Sequence, residues 1–195
     1  MVDPHSIPIS NLCPNWMTLA RLTYRATQFW KFLGARPSYQ QMELARRVLS
    51  TTQMDLFVQM QPGEQTHSLE VLERLQDQGE SDADLLVAAL LHDVGKSRFP
   101  LNPLERAWVV VARAVFPRMV RRWGYASSES IVPRWKRAVL VAEQHPQWGA
   151  DMACEAGTSS LAVTLIRRHQ EKVALESSGY ENMLVRKLQA VDNES

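Results

Sequence analysis

The sequence predicts an all-α fold, and three observations carry that prediction. No stretch alternates apolar and polar residues with period two between turn signals, the mark of a half-buried strand. Apolar residues recur instead at three- and four-residue spacing along most of the chain. Helix start signals stand between these stretches: Ser38 with Gln41, Pro62, Ser81 with Asp84, Asn102 with Pro103 and Glu105, and Pro133.

Taken in order, residues 1–15 contain three prolines and no periodicity, and read as an extended lead-in. Trp16, Leu19, Thr23, Ala26, Phe29, Trp30 and Leu33 then recur at helical spacing up to Gly34, a stop signal. Ser38 and Gln41 have capping-box spacing for a helix to about Leu49, and a short helix is expected from Gln53 to Met60. Pro62 suits the first turn of a helix that carries His67 and ends near Gly79. Ser81 and Asp84 resemble a second box, opening a helix through the apolar run Leu85 to Leu91 and closing at Gly95. Residues 96–102 read as a connecting loop. Asn102 as N-cap, Pro103 at the first position and Glu105 in the first turn start a helix to about Phe116. Pro133 begins the next helix and Pro146 is expected to end it just after His145. Another from Thr158 or Ser159 delivers His169, and a last one from about Tyr180 delivers Asp192. These elements divide into an N-terminal helical extension, residues 1–60, and a helical core, residues 61–195, that carries His67, His92, Asp93, His145, His169 and Asp192. Trp16, Phe29 and Trp30 are expected to pack the extension onto the core.

A chain of 195 residues suits one domain with a sizeable core. Its 45% hydrophobic and 22% charged shares are those of an ordinary soluble globule. Lys plus Arg (22) nearly equals Asp plus Glu (21), so global charge gives no argument for nucleic-acid binding. Local clusters such as Arg121-Arg122 and Arg134 to Arg137 read as solvated helix faces. Cys13 and Cys154 form no disulfide framework or CxxC motif. No apolar run approaches the roughly 20 residues of a membrane span, which leaves no membrane partner expected and a cytoplasmic location as the default.

The chemistry concentrates at Leu91-His92-Asp93-Val94-Gly95-Lys96, an HDxGK run directly after an unbroken apolar stretch. An imidazole and a carboxylate side by side at the buried end of a helix each cost several kcal/mol to desolvate without a partner. A divalent cation satisfies both. Of the five histidines, His67, His92, His145 and His169 fall on apolar stripes, whereas His5 lies in the proline-flanked tail. His67 leads Val71 and Leu75 by four-residue steps, His145 follows Val141, and His169 follows Leu165 and Leu161. Asp192 shares a stripe with Leu184, Leu188 and Val191, an odd place for an unpaired carboxylate. A single inward histidine is more often a core residue bonded to a carbonyl. The coincidence of four on separate helices with an HD pair favours a metal site. Nitrogen and oxygen donors without thiolate favour Fe or Mn, with Zn, Co or Ni as alternatives.

The ordered set His67, His92-Asp93, His145, His169 and Asp192 resembles the HD-domain superfamily of metal-dependent phosphohydrolases, in particular its two-metal members. The resemblance covers roughly Pro62 to Asp192 and implies an HD-type helical bundle. It implies that His67, His92, Asp93 and Asp192 bind one metal, with Asp93 bridging to a second held by His145 and His169. Lys96, just beyond the glycine, is placed to reach a substrate phosphate as a point charge, or else supports the helix C-terminus. The GYP signature of the cyclic di-GMP phosphodiesterase class is missing, since Gly124-Tyr125 is followed by Ala126 and stands far from the HD pair. The expected activity is hydrolysis of a nucleotide or another small phosphoester, with Asp93 and Lys96 catalytic. A di-iron oxygenase of the same fold and a non-catalytic sensing module are the alternatives.

Overall fold

The computed structural model describes residues 36–124, 132–174 and 177–194. His5, Cys13 and the helix expected from Trp16 to Leu33, with its packing, lie outside the described residues. Those described form helices and turns with no strand among them, as the all-α prediction requires. In chain order the helices are α1 (Tyr39–Val48), α2 (Thr51–Phe57), α3 (Pro62–Asp77), α4 (Ala83–Leu91), a 3-10 turn (Val94–Arg98), α5 (Pro103–Val115), α6 (Pro117–Trp123), α7 (Arg134–Glu155), α8 (Ser160–Arg168) and α9 (Tyr180–Glu194).

Local chemistry explains most of the boundaries. Ser38–Gln41 and Asn102–Glu105 form reciprocal capping boxes at α1 and α5, and Ser50–Gln53 forms a third at α2, two residues earlier than the expected start. At α4 the cap differs from expectation: Asp82, not Ser81, accepts from the Leu85 amide. Buried Gln65 donates towards the Phe57, Val58 and Met60 carbonyls, covering the orphaned acceptors at the end of α2. Beyond α3, Gly79 takes a φ of 83°, a conformation that a side chain disfavours.

Two more expectations are corrected. The HD helix closes at Leu91 instead of Gly95, and residues 94–98 form a 3-10 turn, not loop. Pro146 does not end its helix: α7 continues to Glu155. A proline inside a helix frees the carbonyl four residues back. That acceptor, Ala142 O, is taken by Arg113 Nη2 at 3.0 Å. Further on, α7 is held by the 3-10 turn, which packs directly on its backbone.

The main core gathers buried residues of α1 to α4, the C-terminal half of α7, α8 and α9, including Phe57, Leu72, Leu90, Leu165 and Leu188. A smaller layer stands apart from it. There α5, α6 and the N-terminal half of α7 close over Ala112, Val120 and Val139. The ends of α4 and α8 meet α7 at His145, which Asp93 and His169 approach.

Candidate metal centre and adjoining cavity

His92 is the C-cap of α4 and His169 the C-cap of α8, positions where helix carbonyls lack intrahelical partners. Each uses its Nδ1 for such a carbonyl: His92 to Ala89 O at 2.9 Å, His169 to Ile166 O at 2.7 Å. His145, inside α7, does the same to Val141 O at 3.0 Å. Because a carbonyl only accepts, all three Nδ1 atoms carry the proton. In the neutral rings each Nε2 then presents a lone pair inward.

These lone pairs converge on carboxylates. Asp93 Oδ1 lies 3.2 Å from His145 Nε2 and 3.9 Å from His169 Nε2, and Asp93 Oδ2 lies 3.6 Å from His92 Nε2. Asp192 Oδ1 lies 2.8 Å from His67 Nε2 and 3.4 Å from His92 Nε2. His92, Asp93, His145 and His169 are buried, while His67 and Asp192 are partly exposed. All six residues singled out in the sequence therefore stand together. Two groups have ligand atoms close enough to hold an ion: His67, His92 and Asp93, and Asp93, His145 and His169.

The donor set fits a divalent cation on two observations. His145 Nε2 and His169 Nε2 stand 3.2 Å apart, with both Nδ1 protons committed to carbonyls. Two lone pairs in that relation repel unless a proton or a cation lies between them. His92 Nε2 is buried without a hydrogen-bond partner among the described residues, a costly state for a polar atom that a metal would relieve.

Titration in the metal-free protein reflects the same crowding. Burial depresses the His92 imidazole, but the carboxylates of Asp93 and Asp192 outweigh it and push it up to about 9. His169 is driven down to about 3 by burial and by the charge of His92 and His145. Burial also lowers His145, though the Asp93 carboxylate beside its Nε2, which would accept from the protonated ring, opposes this. Burial would raise Asp93, yet Lys96 and His92 hold it well below the usual carboxylate range. Asp192 is likewise held down, against burial, by His92 and His67.

Lys96 Nζ reaches Asp93 Oδ2 at 2.5 Å. Its charge therefore sits at the shared carboxylate. Beside it opens a cavity of about 160 Å³ whose wall includes Lys96, His145, Gln170, Arg106, Arg113 and Glu64. Glu64 is buried and paired with Arg106 at 2.9 Å, while Arg113 bonds Glu143 at 2.8 Å. None of Glu64, Arg106, Arg113 and Gln170 was singled out in the sequence. Arg106 and Arg113 are seven residues apart on α5, a same-face spacing that was the available signal.

The turn that carries the pair requires glycine. A Cβ at Gly95 would stand 2.1 Å from His145 O and 2.6 Å from Gly149 N. The HD turn thus rests on the backbone of the α7 segment that presents His145.

Among known proteins, no curated protein and no solved structure matches the chain. The family model described as HD domain matches residues 65–193. That span runs from α3 to the end of α9 and contains all six clustered side chains. Members of this family are commonly metal-dependent hydrolases. With two thirds of its length matched and an all-helical bundle around a His/Asp cluster, this chain belongs to the HD domain family.

Proposed function

We propose that the protein is a metal-dependent phosphohydrolase acting on a nucleotide or another small phosphoester. The observation that carries this reading is the pair of overlapping ligand groups that share Asp93. His67, His92, Asp93 and Asp192 would hold one ion, and Asp93, His145 and His169 the second, with Fe or Mn favoured by the donor types. Two such ions supply an activated water and charge stabilisation for phosphoryl oxygens.

The chain's own residues supply the rest. The Nδ1 hydrogen bonds of His92, His145 and His169 fix ring orientation and leave Nε2 as the donor atom. Lys96 lies at the border of ligand cluster and cavity, where its ammonium would bind a phosphate oxygen once Asp93 is engaged by metal. Leu101, Val109 and Val141 give the cavity an apolar wall for the organic part of a substrate, and Gln170 offers an amide beside His145.

The test joins elemental analysis of anaerobically purified protein to a panel of phosphomonoesters, phosphodiesters and nucleotides. Bound transition metal and release of phosphate or nucleotide are expected. Lys96→Ala should lower turnover by about a hundredfold, a loss of roughly 3 kcal/mol in transition-state binding, with metal content near wild type. Oxygen consumption coupled to an organic substrate, with no phosphoester cleaved, would assign the site to an oxygenase instead. Absence of any bound metal would remove the reading altogether.

A further inference from the structure

We infer that the corner formed by α5, α6 and the start of α7 docks peripherally on an anionic lipid surface. A water-facing helix side is ordinarily polar, but on α5 Leu104, Ala107, Val110, Val111, Ala114 and Val115 are all exposed. Leu104 is 82% exposed and Val115 59%. The opposite side of α5 is already used, by Val109 and Ala112 for packing and by Arg106 and Arg113 for the cavity. Phe116 and Met119 extend the exposed apolar strip into α6.

The charge around this strip selects the partner. Residues 101–140 contain eight Lys and Arg against Glu105 and Glu129, in a chain whose net charge is +1. Not all of these face the strip: Arg106 and Arg113 line the cavity and are paired with Glu64 and Glu143, whereas Arg118 and Arg122 are exposed on α6, the helix that carries Met119. Arg118, Arg122 and Arg134 are exposed at this corner and Lys136 is partly exposed, and Glu105 is already paired with Arg134 at 3.0 Å. Exposed Trp135 stands edge-on to Trp123 and Trp108, an aromatic of the kind that settles at a lipid headgroup boundary.

A second copy of the chain would set one basic corner against another. A nucleic acid would pair with the arginines but leave the aliphatic strip without a partner. An anionic bilayer meets both demands, with headgroup phosphates for the arginines and acyl chains for Leu104, Val111, Val115 and Phe116. No helix of the described residues is long and apolar enough to cross a membrane, so the association is one of lying on the surface.

The experiment is flotation of the full-length protein with vesicles of phosphatidylcholine alone or with about 30% phosphatidylglycerol. Binding to the anionic vesicles should exceed that to neutral ones by about tenfold or more and weaken with salt. The Val111→Glu/Val115→Glu variant should lose flotation while keeping helix content by circular dichroism and metal content. Arg118→Glu/Arg122→Glu should lose the preference for anionic lipid. No flotation of the wild type, equal flotation on both vesicle types, or indifference to both variants overturns the inference. So does a wild-type dimer that Val111→Glu separates, which would give the strip to a second copy.

Discussion

At the scale of single residues, Asp93 stands where two ligand groups meet, and its substitution separates the proposed arrangement from a set of independent ion pairs. Asp93→Ala should lower metal stoichiometry from two ions towards none, because both groups lose a member. His169→Ala should take it from two towards one. Equal losses in both variants, read by elemental analysis, would contradict a shared carboxylate. Gly95 gives a stability test independent of metal chemistry. Its missing Cβ would sit 2.1 Å from a backbone carbonyl, which no side-chain rotation can relieve. Gly95→Ala should therefore destabilise the fold by about 3 kcal/mol in denaturant titration, at the upper end of overpacking costs. A change below about 0.5 kcal/mol would mean that the turn is not seated on α7 as described.

At the scale of elements, α9 brings its carboxylate in from 125 positions away along the chain to meet His67. The helix is continuous through Glu194, and Val191, next to Asp192, is buried. Deleting residues 191–195 should cost about 2 kcal/mol for the lost valine burial and weaken the ion shared by His67 and His92. Deleting only 194–195 should change neither stability nor metal content. Intact stoichiometry in the longer deletion would make Asp192 a helix-end residue and leave the first ion with another ligand. The survival of α7 past Pro146 belongs to this scale too. The carbonyl that Pro146 leaves without an amide donor accepts from Arg113 of α5, and Arg113 also lines the cavity.

At the scale of the whole molecule, the buried imidazoles and carboxylates burden the fold unless a cation joins them. A ligand bound only by the native state stabilises it by about 3 kcal/mol at a free concentration a hundred times its dissociation constant. Chelation should accordingly lower the melting temperature of the metal-loaded protein by roughly 5–10 °C in scanning calorimetry. Restoring metal should recover it. A melting curve indifferent to chelator would show that the cluster is satisfied by its own hydrogen bonds.

What the sequence by itself determined is most of the described helices, though not α6, and the residues turned inward, because both follow from local rules. Capping side chains act within three residues, as Ser38 and Asn102 do, and an apolar stripe fixes which side of a helix faces the core. His67 with Val71 and Leu75 could thus be placed before any fold was known. The family likeness rested on the order of those inward residues, and the HD domain match covers the same span. Only the tertiary structure decided where a local rule was overruled or where partners came from distant helices. Proline removes an amide donor and crowds the carbonyl four residues back, yet α7 continues past Pro146, with Ala142 O accepting from Arg113, 29 positions earlier. Glu64, a first-turn acid of α3, is buried in the fold, where Arg106 from 42 positions away pairs with it. Distances between Asp93 and the three histidines, and the cavity beside them, depend on how α4, α7 and α8 cross, and that is set by packing between helices.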